Sequence, residues 1–174
     1  EITAIPALLD LLEISGCLIT IDAMGCQKGI AQKVIEKEAN YLLGLKSNQE
    51  MLYEATSAAF DETPEDLQTD IQVEQGHGRK EVRRCRILPA TVLEKWGLTT
   101  GWEGLKSLIE IRSERHITAS GALEKETRYY LSSLTGTPAA FNRLVRSHWN
   151  IENQLHWSLD MQFGEDDSRK RIRN

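Results

Sequence analysis

Two acids, Asp22 and Glu152, stand in settings that suggest chemistry. Asp22 closes the run Cys17-Leu-Ile-Thr-Ile21 and opens the turn Asp22-Ala-Met-Gly25. A carboxylate at the carboxyl end of a strand faces the crevice in which α/β sheets bind their ligands. The same position suits a plain structural role, in which the side chain caps the following turn. Glu152 stands in His148-Trp-Asn-Ile-Glu-Asn-Gln-Leu-His-Trp157. On a helix, positions 148, 149, 152, 156 and 159 share one side, which sets Glu152 between two histidines and near Trp149. An acid on a face that ought to be partly buried is costly without a cation or a hydrogen-bond donor. Spacing alone leaves three readings open: a solvent-facing glutamate, an acid that serves a cation, and a zinc site of His148, Glu152 and His156 that lacks a fourth ligand.

The elements that would carry these acids follow from apolar periodicity. Ile5, Leu8, Leu9 and Leu12 at helical spacing, with Pro6 in the first turn and Gly16 as a stop, predict a helix ending near Ser15. Cys17–Ile21 is a short β-branched apolar run of the kind buried on both faces of a sheet. A helix over Gly29–Ala39 and a strand over Asn40–Lys46 then complete a right-handed crossover with a parallel strand pair. Gln49–Phe60 is helical in pattern, and the acidic stretch Asp61–Asp70 with Pro64 is a surface linker. From Ile71 the alternation is strand-like, with a hairpin turning at Gly76-His77-Gly78. Leu105–Arg112 and Arg128–Leu134 predict two more strands around the turn-rich Thr118–Gly121, and Ala139 to about Phe163 predicts one long helix. The fold class is α/β: a core over residues 1–70, a β-rich insertion over 71–137, and a closing helix with a basic tail over 138–174.

With 174 residues, 40% of them apolar, the chain can build a real core. Its 26 acidic and 21 basic residues give a net charge of −5, which excludes a histone-like protein and leaves any nucleic-acid contact to local patches. Cys17, Cys26 and Cys85 form no Cys-x-x-Cys pair and suit reduced thiols in the cytoplasm. Cys26 has no histidine near it in sequence and reads as a small buried side chain rather than a nucleophile. No apolar run approaches the roughly 20 residues of a membrane span, so a soluble protein is expected. The start Glu1-Ile-Thr and the end just after Arg169-Lys-Arg-Ile-Arg173 both read as cut, which predicts a fragment.

Four segments together resemble a known family. They are Ile19-Thr-Ile-Asp-Ala-Met-Gly-Cys-Gln27, Asn40-Tyr-Leu-Leu-Gly-Leu-Lys-Ser-Asn-Gln49, Gly76-His-Gly-Arg-Lys-Glu81, and His148–Asp160 continued by Phe163-Gly-Glu-Asp-Asp-Ser-Arg169. The chain is similar to bacterial insertion-sequence transposases with an acidic DDE triad, in the branch that includes the H-repeat-associated proteins. The resemblance implies an RNase H-like core in which two aspartates on neighbouring strands and a glutamate on a later helix hold two divalent ions, Mg2+ or Mn2+. By motif, Asp22 corresponds to the second aspartate and Glu152 to the glutamate, both catalytic and both metal ligands. The first aspartate belongs on a strand upstream, so the N-terminal part of the core is expected to be missing here. Asp10 is no substitute, because Leu8–Leu12 reads as helix. Water would attack at an element end, and the released 3′ hydroxyl would then attack target DNA, both by in-line displacement. Lacking one ligand, the chain alone is expected to bind metal weakly and not to cut DNA.

One departure bears on DNA contact. In related transposases a tyrosine, an arginine and a lysine accompany the glutamate on its helix; Val145, His148 and Leu159 hold those offsets here. Phosphate contacts must come from elsewhere, with His148 taking part of the arginine's role. The partner that the resemblance implies is double-stranded DNA, both element ends and target, with self-association by analogy. Arg79–Arg86 carries five basic residues and one acid, and Arg169–Arg173 four basic residues in five. On a strand, Arg79, Glu81 and Arg83 share one face while Lys80, Arg84 and Arg86 share the other. The DNA-contact set is therefore His77, Arg79, Arg83, Arg84, His148, Arg169 and Arg171, with a merely solvated hairpin as the plain alternative. Two other functions fit the same motifs: a non-catalytic DNA-binding or interaction module from a decayed transposase, and an RNase H-like nuclease without strand transfer.

Overall fold

The predicted parallel strand pair forms. In the computed structural model, which describes residues 2–64, 68–76, 78–98 and 101–150, β1 (Leu18–Ile21) runs parallel to β2 (Asn40–Leu45). Ile19 lies opposite Tyr41 and Ile21 opposite Leu43. The connecting helix α2 (Lys28–Glu36) buries Ile30, Ala31 and Val34, an i, i+1, i+4 stripe that meets the core. The helix expected to reach Ser15 stops earlier, as α1 (Ala4–Leu11). Its last carbonyls turn aside to a cation: Lys37 Nζ donates to Leu9 O and to Leu12 O, each at 2.6 Å.

β2 has a second neighbour. β6 (Leu123–Ser132) pairs with it antiparallel, Leu131 opposite Leu43, and the strands of the β-rich segment extend the same sheet in the order β1-β2-β6-β5-β4-β3. β5 (Ser107–Ile117) and β4 (Arg79–Pro89) are both longer than their apolar stretches, and β3 (Asp70–Gly76) forms the far edge. The outer half of the β5–β6 hairpin is charged, half-buried along β5 and exposed along β6, so apolar alternation does not reveal it. Ladder bonds and cross-strand pairs hold it instead, among them Glu114 opposite Lys125, 3.5 Å apart. Burial raises the Glu114 carboxyl, but Lys125 and Arg84 outweigh it and hold the group below its ordinary value.

The core lies on one face of this sheet. Leu43, Leu131, Leu108 and Leu88 form a row across four strands, each fully or nearly fully buried, and meet Val34 of α2 and Leu52, Ala55 and Phe60 of α3 (Glu50–Asp61). Each such leucine contributes about 1.5–3 kcal/mol relative to exposure. A short 3-10 segment, Ala90–Trp96, adds Leu93 to this core and ends at Gly97 in the left-handed region at φ 69°. No periodic signal announced it. Contrary to what its apolar run predicts, β1 is half-buried along its length and not buried on both faces. It is an edge strand, and among the described residues its outer side pairs with no other strand.

Arg86 ties α3 to the sheet. Its Nε donates to Glu110 Oε1 at 2.7 Å, and its two terminal nitrogens donate to the Phe60 and Thr63 carbonyls at 3.1 and 3.2 Å. The Phe60 carbonyl lies in the last turn of α3 and also accepts from the Thr63 N–H at 3.2 Å, while the Thr63 carbonyl lies just past the helix end.

Contacts divide the chain into a unit of residues 1–142 and a second of residues 143–174. The helix α4 (Pro138–Asn150) starts where Thr137 Oγ1 accepts from the Ala140 N–H at 3.3 Å. The later part of the long predicted helix lies outside the described residues. No helix among the described residues is long and apolar enough to cross a membrane.

Candidate active site

Asp22 sits at the carboxyl tip of β1 and is exposed. Its Oδ1 accepts from the Met24 N–H at 3.1 Å, so the carboxylate caps the 3-10 turn Ala23–Gly25. The capping role and an outward-facing oxygen donor thus coexist in one side chain. The turn is tight against the strand that precedes it: a Cβ on Gly25 would come 2.3 Å from Ile21 Cγ2. Two carboxamides from the connection after β2 hold the turn from the side. Asn48 Nδ2 donates to Ala23 O at 2.7 Å, and Gln49 Nε2 donates to Cys26 O at 3.0 Å. Neither the type nor the spacing of these two residues marks them for a role, although they belong to a segment that carries the resemblance.

Cys26, at the far end of the turn, is fully buried, and burial pushes its thiol up to about 12. Such a thiol is a packing group, not a nucleophile. The donor chemistry at Asp22 suits a hard divalent cation, for which carboxylate oxygen is the preferred ligand. Asp22 makes no ion pair among the described residues, and these contain no cluster of three or more metal-ligating side chains. Glu152, the other expected ligand, lies outside the described residues, as does His156 of the zinc reading.

The basic hairpin divides its arginines in a way that charge alone does not show. Arg79 is exposed at the base of the turn, opposite Gly76, and His77 lies outside the described residues. Arg83 is only 5% exposed. Its Nε donates to Asn142 Oδ1 at 2.9 Å, and its Nη2 lies 3.3 Å from Glu74 Oε1 and 3.4 Å from Gln72 Oε1. Arg84, on the other face, is accessible and lies 3.5 Å from Glu114 Oε2. It lines a cleft of about 650 Å3 with Arg86, Arg112, Glu110 and Glu114, three guanidiniums against two carboxylates. In the second unit, His148 is half-buried and packs edge-to-face on Trp149, ring centroids 5.7 Å apart. Arg169 and Arg171 lie outside the described residues.

Against known proteins, the family described as Transposase DDE domain matches residues 1–174. The chain belongs to that family. The H repeat-associated putative transposase YhhI of Escherichia coli K12 is 42% identical to this DDE-domain chain over 180 residues, covering 100% of the chain and 47% of the relative. The putative protein YbfL of the same strain gives the same identity and coverage. The putative transposase YncI of Escherichia coli O157:H7 is 41% identical over 181 residues, 100% of this chain and 45% of its own length. The DDE-domain chain therefore spans about half the length of the curated relatives it matches. The branch expected from its motifs, that of the H-repeat-associated proteins, is the one that the name of YhhI carries.

Proposed function

We propose that this DDE-domain chain is part of the catalytic domain of a transposase that cleaves DNA at element ends and joins them to target DNA. The observation that carries the reading is Asp22, an exposed carboxylate at the carboxyl end of a parallel strand, without an ion-pair partner among the described residues, in a chain of this family. The open side of β1 is where a further strand of an RNase H-like core would pair, bringing the first aspartate beside Asp22. In this reading residues 71–137 are an insertion in that core, and residues 138–174 return Glu152 to it.

Asp22 and Glu152 would hold Mg2+ or Mn2+ in a two-ion site. When bound, such ions lower the pKa of the attacking hydroxyl and neutralise charge on the leaving oxygen. The protein's share is to fix the carboxylates. Asp22 is held through its own cap on Met24, while exposed Arg79 and Arg84 supply phosphate contacts along the hairpin. His77, His148, Arg169 and Arg171 complete the proposed DNA surface, with double-stranded DNA as substrate, a second copy of the protein as partner, and the cytoplasm as location. With Asp22 and Glu152 as its two carboxylates of the triad, residues 1–174 alone would not cut DNA.

The test is magnesium-dependent nicking of a duplex bearing element ends by the complete transposase. Asp22→Asn and Glu152→Gln are each expected to lower cleavage by more than about 100-fold while leaving duplex affinity in place. Wild-type cleavage by Asp22→Asn would remove Asp22 from the reaction. Robust nicking by residues 1–174 alone would remove the need for a further aspartate.

A further inference from the structure

We infer that Asn48 and Gln49 are positioning residues for Asp22, a role that rests on the metal-ligand reading of that carboxylate. A single 3-10 turn is weakly bonded within itself. Here Gly25 N donates to Asp22 O, and Cys26 N to Ala23 O, both at a long 3.2 Å. The orientation of the turn must come from outside it. Asn48 takes the carbonyl at the head of the turn and Gln49 the one at its exit, and Gln49 Nε2 also lies 3.5 Å from Gln27 Oε1. The turn is gripped at both ends by adjacent residues of one connection.

A third constraint comes from the strand that leads into that connection. A Cβ at Gly44 of β2 would stand 3.1 Å from Ala23 N and 3.3 Å from Asp22 C. The Asp22–Ala23 peptide therefore lies directly on the backbone of β2, at a distance that a side chain would widen by a few tenths of an ångström. The stretch from Gly44 to Gln49 thus provides both the seat and the two side clamps. Asp22 Oδ1 is bonded to the Met24 N–H inside the clamped turn, so the carboxylate goes where the turn goes. Placement matters at this scale, because a shift of about 1 Å in a reacting constellation can cost about 100-fold in rate. Neither carboxamide belongs to the apolar core, so their bonds can be removed without opening it.

The test uses the complete transposase carrying Asn48→Ala and Gln49→Ala together, with Gly44→Ala as an independent displacement of the same peptide. In the metal-free protein, amide hydrogen exchange at Met24 and Gly25 should speed up about 10-fold, with β2 and β6 amides unchanged. In the nicking reaction, the Mg2+ concentration for half-maximal cleavage should rise about 10-fold or more, with duplex affinity and melting temperature held. Exchange or Mg2+ dependence that stays at the wild-type value overturns the role. If the paired variant does not fold, Gln49→Ala alone carries the same expectation. Asp22→Asn run alongside separates the two levels: normal nicking by that variant defeats the metal-ligand reading itself. An inactive Asp22→Asn beside an unaltered Asn48/Gln49 variant defeats only the positioning role.

Discussion

Arg83 and Asn142 meet inside the protein: Arg83 Nε donates to Asn142 Oδ1 over 2.9 Å, and Asn142 Nδ2 donates in turn to Asp70 Oδ2 over 2.8 Å. The chain Arg83–Asn142–Asp70 fastens the start of β3 and the middle of β4 to the opening turns of α4. Asn142 is fully buried, so its carbonyl would be left without a donor if the guanidinium were removed. Arg83→Ala should therefore cost about 2–4 kcal/mol in urea unfolding. The neighbouring Arg84, whose side chain is 41% exposed, should lose under about 1 kcal/mol on the same change. Equal losses at the two positions would show that the buried network contributes little.

That asymmetry decides how the hairpin's DNA role should be probed. Arg79→Glu with Arg84→Glu changes accessible charge and leaves the Arg83 network in place. In a fluorescence anisotropy titration of duplex DNA with the complete transposase, affinity should fall and the salt slope should drop by about one for each phosphate no longer neutralised. An unaltered slope would leave this hairpin as a solvated surface. Including Arg83 in the charge reversal would confuse weaker phosphate binding with lower stability.

Much of the framework was legible in the residues, and the reason lies in composition. The crossover from β1 through α2 to β2 follows because Cys17–Ile21, Gly29–Ala39 and Asn40–Lys46 differ sharply in apolar period. The hairpin of β3 and β4 is marked by alternation around two glycines. What could not be read was which charged side chain turns inward. Arg83, Arg84 and Arg86 look alike in sequence, yet the partners that distinguish them, Asn142, Glu114 and Glu110, are distant in the chain. β1 looked doubly buried because its composition says nothing of its place at the sheet's edge. Asp22 was legible as a strand-tip acid, whereas Asn48 and Gln49 were not, since a carboxamide shows its purpose only through the carbonyl it meets.

The buried pair of Arg86 and Glu110 offers a second stability test. Glu110 is 1% exposed and also receives Arg112 Nε at 3.1 Å. Glu110→Gln keeps the shape but removes the charge that balances Arg86, which is itself 5% exposed. Breaking one partner of such a pair leaves a buried cation uncompensated, and a loss of about 3–5 kcal/mol is expected in urea unfolding. A loss below about 1 kcal/mol would mean that the carbonyls of Phe60 and Thr63 suffice to hold Arg86.

Stability should also fall in alkali, and the buried thiols give the sign. Burial pushes Cys26 up to about 12; it does the same for Cys85, helped by Asp70 and Glu110 and opposed by Arg83. An unfolded thiol ionises near pH 8.5. The folded state keeps these protons when the unfolded state releases them, so their contribution is complete below about pH 8.5 and is lost as the pH rises toward about 12. Each thiol can take away up to about 1.4 kcal/mol per pH unit in that window. Thermal unfolding followed from pH 7 to pH 10 should show the melting temperature falling above about pH 8.5. Cys26→Ala and Cys85→Ala should each flatten that fall, whereas substitution of the exposed Cys17 should leave it as it is. A thiol reagent at pH 8 should correspondingly label Cys17 in the native protein and reach Cys26 and Cys85 only after denaturation. Rapid native labelling of Cys26 would show that the turn carrying Asp22 opens readily, and the clamp by Asn48 and Gln49 would then be too weak to fix the carboxylate.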